Sequence, residues 1–309
     1  MILQLRYLIQ IVIICLILYV FDYLLYKNEY FDNDKIILKS WWTGDDKRSI
    51  EIFKQLFSNQ LDIYNRIEIH SVFGNNFDKD NNVLYVQFSG ESYYNDPILF
   101  NINFIPSEDH IMNNIILPYA YYHILYNNID INPLLTRRVF NKNKTDFCLF
   151  AVSNINCKER NNFFHKLSEY KKVDSCGKAM NNIGYNCPGN HDDEVFGNFI
   201  SKYKFMICFE NKSQTNYLTE KIINAYYNGT IPIYWGSPTI NKYINMDAIL
   251  YLKPDFTEND VTMLIEEIIN LDNNDELYKN KYESIFFKDG LLPDEFNIDK
   301  IKEKINSLC

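Results

Sequence analysis

Three polar residues close together in the chain, Tyr217, Glu220 and Lys221, could act on a phosphorylated ligand. The lysine would seek phosphate, the carboxylate would accept from a hydroxyl, and the phenol ring would offer a flat platform. Read alone, Glu220 and Lys221 are equally well an ordinary first-turn acid and a solvated base. A further carboxylate, Glu91, lies in the tight sequence Phe88-Ser89-Gly90-Glu91-Ser92. Loops at the carboxyl ends of strands are where active-site residues of open α/β sheets gather, although by itself this glutamate is better explained as a solvated loop acid. Arg160 opens an apolar-periodic segment, where an exposed helix-start arginine is an equal alternative.

Positioning these groups requires particular elements. Lys204 to Phe209 and Ile231 to Trp235 are short apolar runs that suit strands covered on both faces. Between them Thr219 stands at an N-cap, Ile222, Ile223, Ala225 and Tyr226 share one helical side, and Asn228-Gly229 ends the helix. The result is a βαβ crossover, which binds ligands beyond its strand ends, where a helix N-terminus attracts phosphate. Upstream, Lys35 to Trp42 reads as an opening strand that turns through Trp41-Trp42-Thr43-Gly44-Asp45 into a helix from Ile50 to Phe57. Ile67 to Val72 and Val83 to Phe88 are further strands. The polar stretch Asn127 to Thr145, with Pro133 and Arg137-Arg138, reads as a linker. Phe147 to Val152 then forms a strand, followed by Ser153-Asn154 and a helix from Arg160 through Phe163, Phe164, Leu167 and Tyr170. Val261 to Leu271 and Ile298 to Leu308 are later helices.

Phe205 to Asn211, Tyr217 to Lys221 and Ala225 to Pro238 together resemble the signature of the α-1,3-fucosyltransferase family, with its spacing intact. Ser89-Gly90-Glu91-Ser92 resembles that family's first-domain glutamate loop, with Ser92 where Asn is common. Ser153-Asn154, Arg160 with Phe163-Phe164 and Leu167, and Val173-Asp174-Ser175-Cys176-Gly177 resemble the opening of its second domain. The resemblance implies an α/β fold of the GT-B type, two Rossmann-like domains facing across a cleft, to which the apolar run 8–25 adds an N-terminal anchor helix. It divides the chain into an anchor (1–27), an acceptor-side domain (35–130), a linker (131–145) and a GDP-fucose-binding domain (146–309), whose last helix packs back on the first. It implies transfer of L-fucose from GDP-fucose to a glycan hydroxyl with inversion, α-1,3 to an N-acetylglucosamine or glucose residue. Glu91 would be the general base, and Arg160 and Lys221 would hold the diphosphate in place of a metal. Glu220 would accept from ribose hydroxyls, Tyr217 would seat the nucleotide, and Asn211, Ser153 and Asn154 would line the same pocket. The alternatives are another nucleotide sugar, or an inactive membrane-tethered glycan-binding or structural protein.

Composition sets outer bounds. The chain has 309 residues, 47% hydrophobic and 23% charged, enough for a large core and for two domains. A net charge of −9 argues against nucleic acid as a partner. Leu8 to Leu25 is almost continuously apolar and just long enough to cross a bilayer. With Arg6 before it and no small-residue cleavage site after it, it reads as an uncleaved type II anchor that places the body in a lumen such as the Golgi. Five cysteines, Cys148, Cys157, Cys176, Cys187 and Cys309, are candidates for pairing, with connectivity open. The sequons at Asn143, Asn211 and Asn228 sit awkwardly with a lumenal body, since two fall inside the proposed nucleotide-binding unit. Asp32-Asn-Asp34 and Asp78-Lys-Asp80 spell the metal-binding DxD pair, but in an Asp/Asn-rich chain such spellings arise readily. The histidines show no ligand spacing.

Overall fold

A computed structural model describes residues 35–42, 46–74, 78–107, 111, 113–190 and 193–309. The apolar run 8–25 and the Asp32-Asn-Asp34 pair lie outside the described residues, and among those described no helix is long and apolar enough to cross a membrane.

The first unit contains β1 (Ile36–Lys39), α1 (Lys47–Leu56), β2 (Arg66–His70), β3 (Val83–Phe88), β4 (Ile102–Phe104) and α2 (Tyr119–Tyr126). Its four strands pair in parallel in the order β1-β2-β3-β4. All of β3 is buried, as expected for a central parallel strand covered on both faces. Asp46 starts α1 by accepting from the Ser49 amide at 3.2 Å, and Ile52, Phe53 and Leu56 form its buried side.

After α3 (Asn132–Leu135), the second unit runs β5 (Asp146–Phe150), α4 (Lys158–Tyr170), β6 (Val173–Ser175), α5 (Glu194–Ile200), β7 (Tyr203–Ile207), α6 (Glu220–Tyr227), β8 (Ile231–Tyr234), β9 (Leu250–Tyr251), α7 (Glu258–Asn273), α8 (Asp275–Tyr282) and α9 (Ile298–Leu308). Its five parallel strands take the order β6-β5-β7-β8-β9. This is a doubly wound order that reverses between β5 and β7, and ligands bind in the crevice beyond the carboxyl ends of such a pair. The first sheet differs: its strands follow chain order without a reversal, so the Rossmann-like topology is confined to the second unit among the described residues.

The two units share one hydrophobic cluster, which includes Phe53, Phe88 and Tyr122 as well as Ile222, Tyr226 and Phe286. A second cluster, with Phe150, Phe163, Phe164 and Phe205, fills the opposite face of the second sheet. Between the units, α2 packs on α6, the Ala120 amide donates to the Leu218 carbonyl at 2.9 Å, and Asn216 Nδ2 donates to the Ser107 carbonyl at 2.6 Å. Helix α9 buries Ile301 and Ile305 and packs on α1, and Gln60 Nε2 donates to Asn306 Oδ1 at 2.9 Å.

The polar stretch read as a linker is no loose tether. The Arg138 guanidinium lies 3.7 Å from the Tyr226 ring and 4.1 Å from the Tyr282 ring. It also donates to the carbonyls of Tyr226, Thr230 and Tyr282. Lys144 Nζ donates to the carbonyls of Ser201 and Gly229, and burial, with Arg138 nearby, pulls its pKa down to about 8. Of the five candidate cysteines, Cys176 and Cys187 form a disulfide, Cys148 and Cys157 are free and buried, and Cys309 is free and exposed.

Candidate active site

The crevice at the sheet reversal is built from the loops that leave β5 and β7. The first carries Ser153 and Asn154, both exposed, and the second carries Glu210 and Asn211. Arg160, on the first turn of α4, joins the two loops. Its Nη2 donates to the Asn154 carbonyl at 2.6 Å, and its Nη1 donates to Asn211 Oδ1 at 3.0 Å and to the Phe209 carbonyl at 3.3 Å. The side chain is wholly buried and does not line the cleft described below; its Nε has no hydrogen-bond partner. Burial lowers its pKa, and the charges of Cys157 and Glu210 oppose the shift. Sequence placed this guanidinium at the diphosphate; the fold places it behind the loops that form the crevice.

Glu210 organises the start of α6, a role that sequence reasoning missed. Its fully buried carboxylate accepts from the Thr219 amide at 2.8 Å and from Thr219 Oγ1 at 2.7 Å, and lies 3.4 Å from Lys221 Nζ. Thr219 is therefore at the N-cap position, but its hydroxyl turns to Glu210 instead of capping the helix. Gly236 allows this approach, since a Cβ there would stand 2.5 Å from Glu210 Cγ. Burial raises the Glu210 pKa, with the Lys221 charge opposing it. The available signal was the glutamate of the Phe-Glu-Asn element itself, but its partner at Thr219 becomes adjacent only on folding. The other end of α6 matches expectation: the Gly229 amide bonds the Tyr226 carbonyl and the Thr230 amide bonds the Ala225 carbonyl, a Schellman closure.

Lys221 Nζ is held between Thr219 Oγ1 at 2.8 Å, Glu220 Oε1 at 3.2 Å and Glu210. Burial alone would lower its pKa, but the two carboxylates and Tyr217 raise it above the usual lysine value, so it stays charged. Burial would raise the Glu220 pKa, yet Lys221 and His123 hold it down at about 2.

The first unit supplies the opposite wall. Glu91 follows β3 in a loop pinned by Ser89, whose Oγ donates to the carbonyls of Glu91 and Tyr93. Gly90 lets the loop lie against Tyr119, for a Cβ there would meet the Tyr119 ring at 2.6 Å. Burial raises the Glu91 pKa; the Trp42 indole donates a hydrogen bond to the carboxylate and, with Lys221, offsets part of the rise, while Glu220 adds to it. His123, on α2, bridges the units through Nε2 to Asn224 Oδ1 at 3.0 Å.

Glu91, Trp42 and His123 from the first unit and Asn211, Tyr217, Glu220 and Lys221 from the second line one cleft of about 380 Å³. The fold thus brings five of the eight expected residues together. Arg160 is buried behind Asn211, and Ser153 and Asn154 are exposed and do not line the cleft. Trp42 and His123 are additions that no spacing in the sequence marks. A carboxylate kept above its usual pKa faces a charged lysine across this space, an arrangement able to take a proton on one side and stabilise a departing anion on the other. Among the described residues no group of three or more His, Cys, Asp or Glu is placed to hold a metal ion.

Residues 141–285 match the model of the C-terminal region of glycosyltransferase family 10 (fucosyltransferase). The chain is 34% identical over 194 residues to a putative fucosyltransferase of Acanthamoeba polyphaga mimivirus, covering 60% of this chain and 31% of that protein. It is 37% identical over 153 residues to the alpha-(1,3)-fucosyltransferase FucT of Helicobacter pylori, covering 44% and 31%. The chain thus spans about a third of the length of these relatives. A crystal structure of an alpha1,3-fucosyltransferase with GDP-fucose superposes with a TM-score of 0.64 at 23% identity, over 88% of this chain and 89% of that one. The parallel α/β architecture therefore resembles a GT-B fucosyltransferase. Residues 141–285 thus carry the C-terminal domain of glycosyltransferase family 10 (fucosyltransferase), in a chain whose fold is similar to that of a solved alpha1,3-fucosyltransferase.

Proposed function

We propose that this protein transfers L-fucose from GDP-fucose to a hydroxyl of a glycan, in α-1,3 linkage to an N-acetylglucosamine or glucose residue, with inversion. The observation that carries this is the single cleft receiving Glu91 from one sheet and Tyr217, Glu220 and Lys221 from the other. The acceptor hydroxyl gives its proton to the Glu91 carboxylate as its oxygen bonds the anomeric carbon. The bond from that carbon to the diphosphate breaks, and its electron pair leaves with GDP. Burial suits Glu91 to this work by bringing its proton affinity closer to neutrality. Lys221 meets the charge developing on the diphosphate, and Arg160 adds positive potential from behind Asn211. These cations stand where other enzymes use a metal, so turnover is expected to persist with a chelator present. Glu220, held ionised, accepts from ribose hydroxyls, Tyr217 seats the nucleotide, and Asn211, Ser153 and Asn154 border its site.

Glu91→Gln is expected to slow transfer by about 10²–10⁴-fold while GDP affinity stays unchanged in calorimetry. Near-normal turnover in that variant would sink the base assignment, and preferential use of another nucleotide sugar would replace the donor. Residues 8–25 serve, in this proposal, as a type II tether with the body in a lumen. Release of the full chain from membranes by alkaline carbonate would count against the tether.

A further inference from the structure

Beside the cleft runs a larger groove, of about 690 Å³, that this chemistry does not use. It lies between α1, the end of α2 with the loop 127–131, and residues 292–298 ahead of α9. Tyr126 and Asn127 line both spaces, so the groove and the cleft share a wall. Arg48, Glu51 and Gln55 edge it from α1 at the spacing i, i+3, i+7 of one helical face. Its floor is apolar, with Ile52, Ile124 and Phe296, and the Arg48 guanidinium stands 5.5 Å from the centre of the Tyr126 ring.

That lining narrows the ligand. The lining carries one guanidinium, Arg48, and two carboxylates, Glu51 and Asp130, so no surplus positive charge is present to draw a phosphate. The walls carry too many fixed donors and acceptors for a purely apolar ligand, whose burial would strand them. None of the lining residues belongs to a strand, so an extended peptide finds no sheet edge to pair with. A neutral ring with hydroxyls at its rim and a partly apolar face matches both the walls and the floor.

Resting on the fucosyl-transfer reading, we propose that this groove is a second acceptor subsite, which takes the neighbouring sugars of an oligosaccharide whose reacting hydroxyl faces Glu91. An acceptor of one sugar occupies the cleft alone. A longer one passes the wall of Tyr126 and Asn127 and gains the contacts of the groove.

The test is a saturation-transfer NMR titration of the GDP-saturated full chain with N-acetylglucosamine and with its β-1,4-linked trisaccharide. The trisaccharide is expected to bind at least about tenfold tighter. Gln55→Trp, on the exposed side of α1, fills the groove and is expected to bring the two affinities together while monosaccharide and GDP affinities hold. Arg48→Ala, a milder change, is expected to reduce the trisaccharide advantage severalfold. Equal affinities in the wild type, or an advantage unchanged in both variants, overturns the subsite. So does binding of a Ser/Thr peptide, in place of the trisaccharide, that the two variants abolish. A trisaccharide bound as expected but never fucosylated leaves the glycan groove standing and removes the fucosyl-transfer reading.

Discussion

Glu210→Gln should lower the stability of the folded chain by about 1.5–3 kcal/mol, the usual net value of a hydrogen bond to a charged group. The wild-type carboxylate serves three donors: the Thr219 amide at 2.8 Å, Thr219 Oγ1 at 2.7 Å and Lys221 Nζ at 3.4 Å. Glutamine keeps an oxygen for the amide but sets an NH₂ opposite the hydroxyl and the ammonium. The hydroxyl can turn and accept, and Lys221 then loses both the negative charge and a competitor-free lone pair. Glu210→Ala removes every acceptor and strands the buried Thr219 amide, so about 3–6 kcal/mol is expected from two such bonds. For the glutamine variant, 1.5–3 kcal/mol corresponds to a fall in Tm of about 3–12 °C in a chain unit of this size. Urea unfolding followed by tryptophan fluorescence measures the loss. A double-mutant cycle with Thr219→Val isolates the pair, with a coupling of about 1 kcal/mol or more expected. A glutamine variant as stable as the wild type, or additivity within about 0.5 kcal/mol, refutes the idea that Glu210 organises the start of α6.

Three further outcomes follow from the cleft. Glu91 must be ionised to accept a proton and burial raises its pKa above the ordinary 4.5, so kcat/KM should fall with unit slope as pH drops through a point above that value. Trp42→Phe removes a donor that favours the ionised form, so this acid limb should move to higher pH; an unmoved limb in the pH–rate profile would detach Trp42 from the base. Lys221→Met should weaken GDP binding about 10–100-fold, the loss of one charge-assisted phosphate contact. It should also destabilise the fold, since Glu210 and Glu220 lose their shared cation, and calorimetry showing unchanged GDP affinity would remove Lys221 from the diphosphate.

Much of the secondary structure in both units was legible in the chain because its signals are local. Val83 to Phe88 matches β3 residue for residue, and the strand-helix-strand around α6 lies within two residues of expectation at each end. Hydrophobic period, a helix stop at Asn228-Gly229 and the spacing from Tyr217 to Lys221 all act within a few turns of chain, so a linear reading captures them. What covers a polar group is not local. Arg160 reads as a helix-start cation free to meet a ligand, yet the loops after β5 and β7 close over it and occupy it with their own oxygens. The stretch around Arg138 and Lys144 reads as a linker by composition, yet the rings and carbonyls of Tyr226 and Tyr282 hold Arg138 and the carbonyls of Ser201 and Gly229 hold Lys144. The sequence by itself determined the resemblance to the fucosyltransferases, the strand-helix-strand of the doubly wound unit and which charged residues stand at the start of its helix. Only the tertiary structure decided that Glu91 and Lys221 feel one another across a cleft, that Glu210 sets the helix between them and that a second groove adjoins the site. Those facts depend on which distant segment removes water from each polar group, and that is a property of packing.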